Sequence, residues 1–484
     1  MTRKLLFILF FQLCIGNLSA QQAPWMQSSY WKSQLFRDIL PHWTSSIVDK
    51  ENQSYHTSMD ETWRPLPQDT VRYPSMIARH LFSYSAAFML SGEREYMEMA
   101  ARLKDYLLAN AWDEQYGGWY NSLSPKGRII DADKSSFVQL YAITGLTLYY
   151  LVTKDPEVLS YIEKSNALME SKAWDSTHMG YYDKMNRDWS VAVENKSFSP
   201  QLAPISGYLL YLYLASREES YLDQSLKILE MVEQKMVDPA TGWVLEAFDR
   251  EWNYSPSKTG PNEINIGHNI EVVWMLARVY LLNGKEEFMP LLRYLDRLNG
   301  SHGFDLENGF WYAEVGREEK ELHTPFSYWW IQAYGIMADL VLAEAMQEKK
   351  YLERFEKAGE IWDTHFLDRA NGDTHLTVGK NGEVLQGNKA TQYKSSYHNG
   401  EHAFLNYLYL RCFQEKKPFH LFFYVQESGL EQPLYPLPIE AKGVSIKAVW
   451  IENEPADLKL IGNQGLAIPP ISKKSLVKVE IQPE

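Results

Sequence analysis

A short signature recurs six times along the chain, and its even spacing constrains the fold more than any single residue does. Four copies are complete: Trp112-Asp113 with Gly117-Gly118-Trp119, Trp174-Asp175 with Gly180-Tyr181, Val237-Asp238 with Gly242-Trp243, and Phe304-Asp305 with Gly309-Phe310. Leu367-Asp368 with Gly372 is a fifth, and Val48-Asp49 is a degenerate first copy in which Gln53 or Ser54 takes the glycine position. Successive aspartates lie 64, 62, 63, 67 and 63 residues apart. A period of that length marks one supersecondary unit repeated six times. Between signatures, apolar residues return at steps of three and four, as in Tyr96-Met97, Ala100, Leu103 and Tyr106-Leu107, so each unit reads as two helices. The aspartate and glycine fall in the break after a helix, where glycine tolerates positive φ, and the aromatic pair that follows reads as a short hairpin. Six helical hairpins closed into a ring make an all-α (α/α)6 barrel, with the signature as its structural punctuation.

Composition narrows the function. Aromatic residues make up 14% of the chain, with 16 Trp and 31 Tyr, which suits a protein that stacks rings on sugar faces. A formal net charge of −14 disfavours nucleic acid and weighs against a polyanionic substrate. Residues 1–20 carry a basic start at Arg3 and Lys4, an apolar run from Leu5 to Ile15, and Leu18-Ser19-Ala20 before Gln21. This reads as a cleavable signal peptide and predicts an exported protein, periplasmic or secreted. No later run of eighteen apolar residues predicts a membrane span. Cys14 leaves with the leader, so Cys412 has no disulfide partner and reads as a small buried hydrophobe. Residues 21–417 are expected to form the barrel. After Lys416-Lys417-Pro418 the pattern turns to short β-rich runs between Pro and Gly clusters, so residues 418–484 are expected to form a small β module packed against it. The sequence leaves the oligomeric state open.

Three segments carry chemistry. In Gly267-His268-Asn269-Ile270-Glu271, His268 and Glu271 are three apart, so on a helix they share a face and the carboxylate can orient the imidazole. In Tyr393-Lys394-Ser395-Ser396-Tyr397-His398-Asn399-Gly400, a histidine sits in a polar segment that leads into a helix starting near Ala403. In Tyr328-Trp329-Trp330-Ile331-Gln332-Ala333, two adjacent indoles head an apolar helix, placed for one to face the core and the other a ligand.

Together these segments resemble the N-acylglucosamine 2-epimerase and cellobiose 2-epimerase superfamily from about Tyr73 to Leu410, with Ala78-Arg79 and Asp133-Lys134 to Tyr141-Ala142 similar to its earlier motifs. The resemblance implies an (α/α)6 barrel that epimerises or isomerises a free reducing mono- or oligosaccharide without a cofactor. It implies that His268 and His398 pass the C2 proton, that Glu271 orients the first of them, and that Arg79, Trp329 and Trp330 touch substrate. Tyr334, Tyr393 and Tyr397 are further candidate substrate contacts. Two imidazoles suit the task, because taking and returning a proton beside a carbonyl needs two groups with pKa near neutrality. No Cys cluster, His-Glu-x-x-His or glycine-rich phosphate loop points to a metal or nucleotide.

The chain departs from the family pattern at Ala203 and Ser206, where a His and a Glu are usual, and at Tyr334, Tyr393 and Glu401, where Glu, Trp and Arg are usual. Two other readings follow. A uronate-specific lyase or dehydratase would use His268 or His398 as base, Tyr334 or Tyr397 as acid, and Arg79 on the carboxylate, and would need a basic pocket. A sugar-binding protein that has lost turnover would tolerate the missing histidine.

Overall fold

The computed structural model describes residues 22–256, 262–457 and 459–484; the leader expected over residues 1–20 lies outside them. Among the described residues, twelve helices alternate between an outer and an inner ring. The inner six are Pro74–Ser91, Ser136–Thr153, 198–216, Ile266–Asn283, Trp329–Met346 and 396–414. They are buried on nearly every face, as a helix walled in by neighbours must be; Pro74–Ser91 buries every residue but its last. The outer six are 28–45, 94–111, 156–173, 219–236, Met289–His302 and 349–366. These are amphipathic. Arg94–Tyr106 turns Met97, Met99, Ala100 and Leu103 inward and leaves its charges in water. Ser136–Thr153 is long and apolar enough to cross a membrane, but 83% of it is buried inside the barrel.

The signature is the joint between outer helix and hairpin. Four outer helices end in a widened turn, Leu107–Ala111, Met169–Ala173, Val232–Met236 and Trp362–Phe366, and the chain then straightens. In four copies the aspartate side chain accepts from the backbone N–H groups two and three residues on, as Asp175 does from Thr177 (3.0 Å) and His178 (3.1 Å). The glycine then takes a left-handed conformation, φ +83° at Gly180; in the degenerate first copy Gln53 takes it, at φ +51°. Five of the six turns are anchored by charge, Asp238 among them through Arg317 at 2.9 Å, while Asp305 bonds the neutral Asn308 and Tyr312. Asp113, Asp175 and Asp368 meet the buried Nζ of Lys134, Lys196 and Lys389 at 3.1, 3.1 and 2.7 Å, and Asp49 meets Arg72 at 2.7 Å.

The ring closes where its ends meet, the last inner helix packing on the first inner and first outer helices. Trp362 Nε1 donates to Gln34 Oε1 at 2.9 Å, and Ser28 N donates to Glu415 Oε1 at 2.7 Å. Beyond residue 414 the chain forms an antiparallel sheet in the order Phe419–Val425, Ser475–Pro483, Val444–Ile451, Glu454–Pro455, with a smaller sheet of Gln432–Leu434, Gly465–Ile468 and Leu460–Ile461. The strand Phe419–Val425 lies against the first two inner helices, and Gln426 N donates to Thr153 O at 2.9 Å. Cys412 is a buried free thiol, its pKa pushed up to about 12 by burial.

Candidate active site

Because the units repeat, the same position of each inner helix reaches the same height in the barrel. The sixth residues of the six inner helices are Arg79, Tyr141, Ala203, Glu271, Tyr334 and Glu401. The third residues of the fourth and sixth are His268 and His398. A cavity of about 240 Å³ opens above this level, lined by Arg79, Phe137, Tyr141, Phe198, Ser199, Ala203, His268, Glu271, Trp329, Trp330, Tyr393 and His398. It shares Phe137, Ser199 and Tyr393 with an outer groove of about 580 Å³.

His398 lies in the first turn of its helix, which starts at Ser396 and not near Ala403. The side chain of Ser395 caps that turn, accepting from Tyr397 N at 3.2 Å, so the polar segment is helical. Trp330 lies between the two histidines, its ring centre 5.1 Å from that of His268 and 6.2 Å from that of His398. Gly267, beside His268, leaves room for this indole: a Cβ there would stand 2.5 Å from the Trp330 ring. Trp329 also lines the cavity, 5.8 Å from His398. Phe198 stacks on the other face of the site, 4.2 Å from the His268 ring.

The carboxylate that orients His268 is Glu246, whose Oε1 is 2.5 Å from His268 Nδ1. This corrects the expectation for Glu271, which faces the cavity and accepts from Ser206 Oγ at 3.3 Å. Helix spacing puts His268 and Glu271 on one face, but Nδ1 turns toward the hairpin that follows the fourth signature. His398 Nδ1 is 3.0 Å from Tyr334 Oη, and Tyr334 donates to Glu401 Oε2 at 3.0 Å. Tyr397 donates to the other oxygen of Glu401 at 3.1 Å. Tyr334 and Tyr397, expected as substrate contacts, therefore sit behind the cavity wall, almost fully buried. Tyr393 is at the rim and 60% exposed, and its carbonyl accepts from Arg79 Nη1 at 3.1 Å. The Arg79 guanidinium is stacked 3.7 Å above the Tyr141 ring, which fixes it in the cavity.

The environments push the two imidazoles apart. Burial pulls His268 down, but the adjoining Glu246 and the nearby Glu271 outweigh it and raise its pKa. His398 has no such partner: burial, then Arg79 and His268, hold its pKa well below the ordinary value. Burial pushes the Glu271 and Glu401 carboxyls up to about 7. With Glu401 ionised, the Tyr334 proton is committed to it, so the tyrosine oxygen accepts from His398 Nδ1–H and Nε2 keeps a lone pair. Among the described residues, no group of three or more His, Cys, Asp or Glu is arranged to hold a metal.

Glu246 and Phe198 were not picked out from sequence, and Glu401 only as a departure from the family pattern. Phase in the repeat could have found Glu401, since the sixth-position residues follow the same period as the signature. Glu246 offers no such mark.

Residues 55–400 match the model of the N-acylglucosamine 2-epimerase (GlcNAc 2-epimerase) family. A cellobiose 2-epimerase of Bacteroides fragilis is 26% identical over 387 residues, covering 76% of this chain and 95% of that protein. A D-mannose isomerase of Marinomonas mediterranea is 21% identical, covering 66% of this chain and 82% of its own. The solved structure of cellobiose 2-epimerase from Spirochaeta thermophila superposes with a TM-score of 0.72 at 23% identity, covering 79% of this chain and 96% of that one, and carries the same (α/α)6 barrel. The chain belongs to the N-acylglucosamine 2-epimerase family of sugar epimerases and isomerases.

Proposed function

We propose that the protein is a cofactor-independent sugar 2-epimerase or isomerase in which His398 and His268 divide the proton transfer. One observation carries this reading: two imidazoles line one cavity, each tied back through Nδ1, to Tyr334 and to Glu246, with environments that keep the first neutral and the second protonated. On an open-chain sugar, His398 Nε2 takes the proton from C2 beside the C1 carbonyl. The electron pair moves into an enediolate, with Arg79 placed to balance the charge on its oxygen. His268 returns a proton to C2 from the opposite side, which inverts that carbon, or to C1, with the O2 proton passing to O1, which gives the ketose. Each histidine then exchanges its proton with solvent. Glu271, held near neutrality beside Ala203, is placed to pass a proton to the ring oxygen on opening, work that a histidine at position 203 would otherwise do.

The substrate is a neutral reducing mono- or oligosaccharide, the outer groove taking any further residue. Among the described residues lining the cavity, Arg79 is the one permanent cation and faces Glu271, which does not favour the strongly basic pocket a uronate lyase needs. Export through residues 1–20 is part of the proposal; N-terminal sequencing of the mature protein should begin at Gln21. The deciding experiment is proton NMR in D2O with a panel of reducing sugars. Deuterium at C2 with a new epimer is expected, lost in His398→Ala; deuterium at C1 of a ketose means isomerase. A vinylic product from uronates would overturn the reading in favour of a lyase, and silence with sugar binding retained would mean a binding protein.

A further inference from the structure

The C-terminal module reaches into the floor of the barrel. Residues 436–441 run buried without regular secondary structure, and Glu440 in this run is fully buried at the side chain. Arg278, on the inner helix Ile266–Asn283, donates from Nε to Glu440 Oε1 at 2.7 Å, with Nη2 at 2.6 Å. Tyr409 of the last inner helix donates to Glu440 Oε2 at 2.5 Å. The Arg278 guanidinium lies 5.1 Å from the Tyr211 ring centre, and Tyr211 donates to Glu401 Oε1 at 3.3 Å. Glu401 in turn holds Tyr334, whose hydroxyl is on His398. A continuous buried polar chain thus joins the module to the candidate base. The matched family region ends at residue 400, so the module and Glu440 lie outside it.

We infer that Glu440 is a positioning residue for the reaction proposed above: it seats Arg278 under Glu401, and Glu401, through Tyr334, selects the His398 tautomer whose Nε2 lone pair faces the cavity. The charge logic is specific. Arg278 favours the ionised form of Glu401, while the neighbouring Glu271 opposes it. The other titratable groups facing Glu401 are Tyr334, Tyr397, Tyr211 and Tyr141, with His398 beyond Tyr334. Glu440 is faced by Arg278 and Tyr409 and, further off, by Arg217 and Tyr211. When Glu401 takes a proton, it can donate to the Tyr334 oxygen, the tyrosine proton turns to Nδ1, and the imidazole proton moves from Nδ1 to Nε2, which loses its lone pair. The module would thereby tune the base from the opposite end of the barrel.

The test follows the Glu401 carboxyl by ¹³C NMR in the full chain labelled at glutamate, assigned with Glu401→Gln, alongside the pH profile of C2 exchange. Glu440→Gln keeps an acceptor for Arg278 but removes the compensating charge, so the Glu401 titration should move down by about one pH unit. Arg278→Met with Glu440→Leu replaces the pair by apolar groups and should move it up by a similar amount. The acidic limb of the exchange profile should follow in each case. The NMR titration reads the coupling even if the sugar chemistry is other than proposed, so the two failures are distinguishable. A Glu401 titration unmoved in both variants, or moved with an unmoved exchange profile, overturns the inference. Loss of the native fold in both also overturns it, since the pair would then be structural alone.

Discussion

Two histidines at equivalent places in two repeats behave differently because of what stands behind each. His268 is backed by a carboxylate and His398 by a phenol, and in the proposed mechanism that contrast, more than the histidines themselves, sets His268 as acid and His398 as base. Glu246→Gln should therefore lower the His268 pKa, visible as a downward shift in an NMR titration of that ring. It should also cut kcat by about 10²-fold, with KM little changed because Glu246 does not line the cavity. The histidines were legible as residues because each sits in a short motif on one helix. Glu246 was not, since it lies 22 residues before His268 and meets it only when a hairpin folds across the helix end.

The helices depend on buried joints. Burial alone would raise the Asp113 pKa, but Arg187 and Lys134 more than offset this and hold it well below the carboxylate range. A depressed folded pKa means the stability is present above the unfolded value, near ~3.9, and is lost as pH falls through the folded value. Asp113→Ala leaves the fully buried Lys134 ammonium uncompensated and should cost about 3–5 kcal/mol in denaturant unfolding at pH 7. The gap to the parent protein should narrow below about pH 4. Packing between inner helices is as strict. A Cβ on Gly145 would stand 2.1 Å from the Ala78 carbonyl oxygen, so Gly145→Ala should destabilise by about 1–3 kcal/mol and, because Ala78 precedes Arg79, also raise KM. The signature was readable as a turn, since aspartate and glycine act locally. Its lysine, 21 residues further on in three copies, was not, because that pairing is made by the next hairpin.

At the scale of the molecule, protons enter the reaction from both sides of neutrality. Burial pushes Glu271 and Glu401 up to about 7, and His268 is raised by Glu246. The profile of kcat/KM should be a bell, falling on the acid side near pH 7 as Glu401 takes up a proton and on the alkaline side as Glu271 and His268 lose theirs. Truncation after Lys417 would strip Glu440 from the buried Arg278, and a loss of about 3–5 kcal/mol is expected, read as a lowered melting temperature. By itself the sequence determined the six-fold repeat, the helix pairs, the β-rich tail and two candidate histidines, because periodicity, turn chemistry and short motifs are written in neighbouring residues. Only the tertiary structure decided which carboxylate holds His268, that Tyr334 and Tyr397 stand behind the wall and not in the cavity, and that the tail reaches the floor of the barrel. Those contacts join residues tens to hundreds of positions apart, and they exist only once the ring has closed and brought the sixth residue of every inner helix to one level.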